Sequence, residues 1–245
     1  VVAADESIMP QTREHFGICR LLGIRHGIVV ITKSDLVDPE FIELVKTEVA
    51  ELLQGTILEN TPMTSVDSHS GRGVERLRAL LEEQLIELDL DSDLQSKRQF
   101  RLPIDRVFTL KGFGTVVTGT TWHGTIRKED KVQAYPSDSQ GRVRNLQIYG
   151  RNTVAATVRQ RTALNLTGLD KGQLQRGMVL GPPGIFRPSF ILDAGLELLA
   201  SAPALVRQRT PVRFHHGSTE VIGRVYPIAR KDLEPGETGL VQLRL

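Results

Sequence analysis

A chain of 245 residues is long enough for more than one domain, and its 40% hydrophobic and 24% charged residues are those of a globular protein. Cys19 is the single cysteine, which excludes an internal disulfide and a cysteine-rich metal site, and no apolar run reaches the roughly 20 residues a membrane-crossing helix needs. The expected setting is reducing and cytoplasmic, with no membrane partner. The net charge of +2 is unevenly spread: residues 1–100 hold 10 Lys+Arg against 18 Asp+Glu (−8), and residues 101–245 hold 21 against 11 (+10), a split that fits either a polyanionic partner for the basic part or arginines coating a β surface.

The chain opens on the apolar Val1-Val2-Ala3-Ala4 and closes on the strand-like Gly239–Leu245, so the expectation is a piece of a longer protein. Val1–Ala4 reads as a strand. Pro10–Leu22 reads as a helix with Ile18, Leu21 and Leu22 on one face and Gly23 as its stop. Gly27–Thr32 (GIVVIT) is a continuous apolar run, the mark of a strand buried on both faces. Asp38 can cap a helix and Pro39 suits its first position, and Phe41, Val45, Val49 and Leu52 supply a stripe at helical spacing. Thr61–Val66 is a further strand. Gly73–Leu88 is a third helix whose stripe is read as Val74, Leu77, Leu81 and Leu85. This alternation of strand and helix predicts a parallel sheet covered by helices over 1–90.

Asp89–Gln99 is polar without an apolar stripe, and its later part reads as a linker. Beyond it the period shortens. Phe100–Leu110, Thr115–Trp122, Lys131–Tyr135, Arg142–Tyr149, Thr162–Leu166 and Met178–Leu180 are β-rich runs separated by turn signals, among them Lys111-Gly112-Phe113-Gly114 and Gly181-Pro182-Pro183-Gly184. They predict a small β-barrel over 98–184. A second β-rich set, 188–245, reads as another barrel, incomplete at its end. The fold class is thus multidomain: a partial α/β domain followed by two small all-β barrels.

Thr32-Lys33-Ser34-Asp35 follows the buried strand directly, and open parallel sheets bind ligands at the carboxyl ends of their strands. A carboxylate at Asp35 can accept two hydrogen bonds from the N1–H and N2–H₂ edge of guanine, a donor pair adenine lacks. The stem of Lys33 can lie along the ring. Thr64-Ser65-Val66-Asp67 ends the next strand about thirty residues on, where backbone N–H groups could meet the guanine O6. Either loop alone is an ordinary polar turn; two on successive strand ends carry more weight.

These residues resemble the translation-factor GTPases. Thr32–Asp35 (TKSD) is similar to their N-K-x-D motif with Thr32 in place of Asn; Ser65-Val66 stands where they carry S-A, and Ser70–Leu77 (SGRGVERL) continues as they do. Asp5–Glu14 (DESIMPQTRE) resembles their D-E-G-V-M-P-Q-T-R-E stretch. The resemblance implies GTP/GDP as ligand, read by Thr32, Lys33, Asp35, Ser65 and Val66, with Mg²⁺ in the intact protein. No G-x-x-x-x-G-K-[ST] run occurs in the chain and no D-x-x-G segment in its α/β part, so no catalytic residue and no Mg²⁺ ligand is assigned.

Phe100–Thr120 (FRLPIDRVFTLKGFGTVVTGT) resembles the start of the second domain of elongation factors, and its Ile104-Asp105-Arg106-Val107-Phe108 is similar to the selenocysteine-specific members rather than the general ones. In those members this Asp-Arg pair and a second arginine surround the selenocysteyl group, which places the pocket here at Asp105, Arg106 and Arg161. A selenol is an anion at neutral pH, whereas serine is neutral and cysteine mostly protonated. Two arginines facing a neutral side chain would be stranded, at about 3–5 kcal/mol for a buried charge, on the order of a hundredfold or more in affinity. Read alone, Asp105-Arg106 is better explained by a structural salt bridge at a strand edge. The implied partners are selenocysteyl-tRNA, the ribosome and, through a C-terminal region beyond this chain, a structured mRNA element. Arg142, Arg144, Arg151, Arg207, Arg209 and Arg213 are candidates for tRNA phosphates. A general aminoacyl-tRNA factor, an initiation-factor-2-like GTPase and an inert RNA-binding barrel module remain as alternatives.

Overall fold

The computed structural model describes residues 1–87, 96–112 and 114–245, which form parts of two compact units, Val1–Leu90 and Asp91–Leu245. Leu88 at the end of the expected third helix, most of the expected linker and Phe113 of the hairpin turn lie outside the described residues.

In the first unit, strands β1 (Val2–Ala3), β2 (Val29–Thr32) and β3 (Met63–Ser65) pair in parallel in the order β1-β2-β3, with Val2 opposite Ile31 and Val29 opposite Met63. Three helices connect and follow them: α1 (Pro10–Leu21), α2 (Pro39–Leu53) and α3 (Val74–Glu87). The core joins Val2, Ala4 and Ile31 of the sheet to Ile42, Val45, Val49 and Leu53 of α2.

The helices are placed as the sequence predicts, but their buried faces are not. In α2 the stripe is Ile42, Val45, Val49 and Leu53, one residue on from Phe41 and Leu52 at either end, and Phe41 is exposed. Spacings i, i+3, i+7 and i+11 drift around a 3.6-residue helix slightly differently from i, i+4, i+8, and both templates fit this segment. In α3 Leu80 is buried while Leu81 and Leu85 are exposed; with Val74 and Leu77 half-buried, the inward row runs at i, i+3 and i+6. No residue of α1 is buried, and Ile18, Leu21 and Leu22 are exposed; Phe16 is the α1 residue that packs on the core. Asp38 occupies the N-cap position of α2 with Pro39 following, yet its side chain makes no capping hydrogen bond.

From residue 101 on, the described residues of the second unit form strands and the loops between them, with a short 3₁₀ turn at Lys171–Gln173. Its first part contains β4 (Leu102–Leu110), β5 (Gly114–Thr120), β6 (Ile126–Arg127), β7 (Lys131–Tyr135), β8 (Gln140–Ile148), β9 (Arg151–Thr153), β10 (Ala155–Ala156), β11 (Arg161–Thr167) and β12 (Val179–Gly181). The strand order β11-β5-β4-β12-β7-β8 closes on itself because β8 also pairs with β11, Leu146 opposite Leu164. The result is a six-stranded barrel with β9 added beside β8 and a separate β6–β10 ribbon. Leu102, Ile104, Val117, Val132, Val143, Leu146, Leu164 and Leu180, all 1% exposed or less, fill the interior, as alternation along each strand dictates. The short strands β6, β9 and β10 were not legible in the sequence: two or three residues give no alternation to read.

Gly119 on β5 lies opposite Ile104 of β4. A Cβ there would stand 2.2 Å from the carbonyl oxygen of Pro103, so only glycine fits, and its placement in T-V-V-T-G is a packing requirement.

The second part contains β13 (Ile191–Glu197), β14 (Val206–Arg207), β15 (Thr210–His216), β16 (Thr219–Pro227), β17 (Asp232–Leu233) and β18 (Thr238–Arg244). Four of them form an antiparallel sheet in the order β13-β18-β16-β15, and β14 pairs with β17. Val206, Val225, Leu233, Val241 and Leu243 make its core.

Candidate functional sites

At the carboxyl end of β2, the loops after β2 and β3 are held together. Ser34 is buried, its N–H donates to the Val66 carbonyl at 3.4 Å, and an Arg72 guanidinium NH donates to the Ser34 carbonyl at 3.4 Å. The Leu36 N–H closes a turn on the Lys33 carbonyl at 3.1 Å, and Lys33 takes a left-handed backbone conformation at φ 56°. This folding leaves Asp35 exposed at the loop tip, with no hydrogen bond or ion pair among the described residues. Its carboxylate is free to accept from a base edge. The Lys33 ammonium pairs with Asp5 at 2.9 Å and with Glu6 at 3.4 Å, which raises its pKa, the Asp5 hydrogen bond contributing most.

The loop after β3 differs from expectation in one respect. The Val66 N–H donates to the Ile31 carbonyl at 2.7 Å and the Asp67 N–H to the Arg72 carbonyl at 2.9 Å. The two amides are thus engaged within the fold and not free to meet a base, whereas no hydrogen bond among the described residues engages the Ser65 hydroxyl. Asp67, only 7% exposed, organises the loop. Its carboxylate accepts from the Ser70 hydroxyl and, at 2.8 Å, from the His69 N–H, and these bonds, the Ser70 one foremost, lower its pKa. An aspartate two and three residues before groups that donate back to it is the Asx-turn signal, present in the sequence as D-S-H-S.

On the barrel, Asp105, Thr118 and Arg161 sit on three consecutive strands, β4, β5 and β11. The β4–β5 ladder pairs Ile104 with Gly119 and then Arg106 with Thr118, passing over Asp105. Asp105 is the extra residue of a β-bulge, a device that re-aims a side chain. Its carboxylate takes a bidentate pair from Arg161: one guanidinium NH reaches Oδ2, and the other lies 3.0 Å from Oδ1. The Thr118 hydroxyl donates to Oδ1 at 2.7 Å. Burial pushes the Asp105 carboxyl up, but the Arg161 and Thr118 hydrogen bonds and the charges of Arg161 and Arg106 outweigh it, so its pKa is lowered. The ion pair is therefore Asp105–Arg161, not Asp105–Arg106: the bulge sets Asp105 beside Thr118, within reach of Arg161 on β11. Arg106 is exposed and makes no ion pair among the described residues. Two guanidinium groups against one carboxylate leave this site with a charge of +1. Thr118 is the member the sequence reading missed, though it stands in the quoted T-V-V-T-G run.

Of the other arginines, Arg142 pairs with Glu129 at 3.5 Å and Arg213 with Glu220 at 3.1 Å. Arg144, Arg151, Arg207 and Arg209 are exposed, with no side-chain hydrogen bond or ion pair among the described residues. Among those residues, too, no group of three or more His, Cys, Asp or Glu side chains is placed to hold a metal ion. For the Mg²⁺ that the sequence resemblance implies, the described residues thus offer no such cluster.

The model of the elongation factor Tu GTP-binding domain family matches residues 1–88. Over those residues the chain is thus similar to the GTP-binding domains of translation factors. Along its whole length it is similar to the selenocysteine-specific elongation factors. It is 46% identical over 246 residues to the one from Desulfomicrobium baculatum, covering 100% of this chain and 38% of that protein. It is 35% identical to the one from Escherichia coli strain K12, covering 92% of this chain and 35% of that protein. The crystal structure of a bacterial selenocysteine-specific elongation factor, EF-Sec, superposes with a TM-score of 0.83 at 29% identity, over 100% of this chain and 39% of that one. The chain thus spans little more than a third of the length of these relatives.

Proposed function

We propose that this chain is the base-reading and aminoacyl-reading part of a GTP-dependent elongation factor that carries selenocysteyl-tRNA to the ribosome. In this reading residues 1–90 belong to a GTP-binding domain, 98–184 form the barrel with the aminoacyl pocket, and 188–245 belong to a second barrel. The observation that carries the reading is the cluster of Asp105, Thr118 and Arg161 with Arg106 beside it. A site of net charge +1 on a firm barrel wall suits a small anionic side chain next to a charged amino group: Arg106 and Arg161 face the selenolate, and Asp105 meets the ammonium of the aminoacyl ester. Seryl-tRNA, with a neutral side chain in the same place, leaves that charge uncompensated.

In the first unit Asp35 reads the N1–H and N2–H₂ edge of guanine. Lys33 lies along the ring, Ser65 donates to O6, and Thr32 and Val66 shape the floor. GTP hydrolysis, Mg²⁺ binding and recognition of a structured mRNA element belong to the whole protein in this reading and are assigned to none of these 245 residues. Arg144 and Arg151, exposed and without a side-chain partner among the described residues, are the first choices for tRNA phosphate contacts on the barrel.

The test is spontaneous hydrolysis of the aminoacyl ester in the presence of the full-length protein and GTP. Protection of the selenocysteyl ester but not the seryl ester, lost in Arg161→Ala, is the expected result. Equal protection of both esters would overturn the assignment.

A further inference from the structure

The tight turn between β15 and β16 is seated on the barrel beside the aminoacyl pocket. The Ser218 hydroxyl donates to the Ile104 carbonyl at 2.6 Å, and the Ser218 carbonyl accepts from Arg176 Nε at 3.1 Å. The same Ile104 carbonyl accepts the Gly177 N–H at 2.9 Å, and the Ile104 N–H donates to the Met178 carbonyl at 2.8 Å. The fit is close on both sides: a Cβ on Gly177 would stand 2.7 Å from Thr219, and the Trp122 and His216 rings meet edge to face at 5.3 Å between centroids.

Ile104 is the residue immediately before the bulge that carries Asp105. The direction a bulged side chain takes depends on how its two flanks are fixed. Arg106, on one flank, is fixed by its pairing with Thr118. Ile104, on the other, is held by Gly119 across the ladder, by Gly177 and Met178, and by a hydroxyl arriving from 114 residues away in sequence. Ser218 touches neither Asp105 nor Arg161 in any hydrogen bond among the described residues, so what it does for the pocket it does through Ile104.

We propose that Ser218 is a positioning residue for the Asp105–Arg106–Arg161 pocket, and that the β15–β16 turn transmits the seating of the four-stranded sheet to that pocket through the Ile104 carbonyl. The proposal rests on the pocket reading given above. A shift of the turn releases one acceptor bond at Ile104, lets the bulge relax, and turns Asp105 away from Arg161 and Thr118. The discrimination between an anionic and a neutral aminoacyl group then falls, because Asp105 no longer holds the Arg161 guanidinium in place.

Three variants of the full-length protein test this: Ser218→Ala, Ser218→Thr, which keeps the hydroxyl, and Arg176→Ala, which loosens the turn from the other side. Two readouts are needed, the titration of the Asp105 carboxyl followed by NMR and the ratio of selenocysteyl to seryl ester protection. The expected result is an upward move of the Asp105 midpoint in Ser218→Ala and Arg176→Ala, with a several-fold loss of the ester ratio, both restored in Ser218→Thr. An unmoved Asp105 midpoint in both loosened variants would sink the coupling. A moved midpoint with the ester ratio intact, while Arg161→Ala abolishes it, would overturn the link from Ser218 to specificity. If neither Ser218→Ala nor Arg161→Ala alters the ratio while the midpoint moves, the coupling stands and the pocket reading is what fails.

Discussion

Replacing Gly73 by alanine probes the base-site loop at its tightest point. Gly73 has φ 84°, and a Cβ there would stand 2.1 Å from the Ser65 carbonyl oxygen and 3.3 Å from the Val66 Cα. Gly71 has nearly the same conformation, φ 82°, with nothing within 4 Å of a Cβ. Both substitutions carry the backbone cost of a left-handed alanine, about 1–2 kcal/mol, part of which is offset by the reduced freedom of the unfolded chain, about 0.4–1 kcal/mol. Gly73→Ala alone adds a collision with a backbone carbonyl, which cannot rotate away as a side chain would; overpacking of this kind costs typically about 1–3 kcal/mol. The two variants should therefore differ by about 2 kcal/mol, or roughly thirtyfold in an equilibrium constant. Amide hydrogen exchange at Val66 and Asp67, whose N–H groups bond to Ile31 and Arg72, reads the difference locally. Protection at these two amides should fall about thirtyfold further in Gly73→Ala than in Gly71→Ala. Equal losses in the two variants would refute the reasoning, because backbone conformation alone would then account for both.

Three further outcomes are expected. Asp35→Asn should weaken GTP binding by the full-length protein and favour xanthosine nucleotides, since an amide can donate to a carbonyl where the carboxylate only accepts; competition binding checks this, and an unchanged guanine preference would remove Asp35 from the site. Thr118→Val, which deletes the 2.7 Å hydroxyl bond, should raise the Asp105 titration midpoint, and Arg161→Ala should raise it further; a midpoint that stays put in both would deny the pair its role. His123 and His216 have lowered pKa values, burial foremost in each, with Arg98 and Arg101 adding repulsion at His123 and Arg101 at His216. A base whose folded pKa lies below its unfolded one binds fewer protons when folded. Stability is then whole above about pH 6.5, the unfolded value, and declines as pH falls toward the lowered folded values. Urea unfolding should show that slope, and His216→Gln should reduce it.

Much of this architecture is legible in the sequence because it rests on backbone periodicity and on residues with special conformational demands. The α/β order, the change to short strands after residue 100 and the glycines of the β4–β5 hairpin are of this kind. The inward faces of α2 and α3 were read one residue out because several apolar residues lie on each turn, and which of them faces the sheet is a tertiary outcome. The same limit applies to the pocket. Asp105 and Arg161 are legible as candidates, but their pairing depends on a bulge between Ile104 and Arg106 that no local pattern announces. Ser218 is 113 residues beyond Asp105 in the chain, and a lone serine in a His-Gly-Ser-Thr turn reads as nothing more than a turn.

The closure of the barrel through the β8–β11 pairing has a mechanical consequence. A strand at the rim of an open sheet can peel away one ladder at a time, but each stave of a closed ring is gripped on both sides. Asp105, Thr118 and Arg161 ride on three neighbouring staves, so prising them apart requires breaking the hoop itself. In the reading proposed above, walls of that stiffness would discriminate by refusing to accommodate, with the selectivity set before any aminoacyl group arrives.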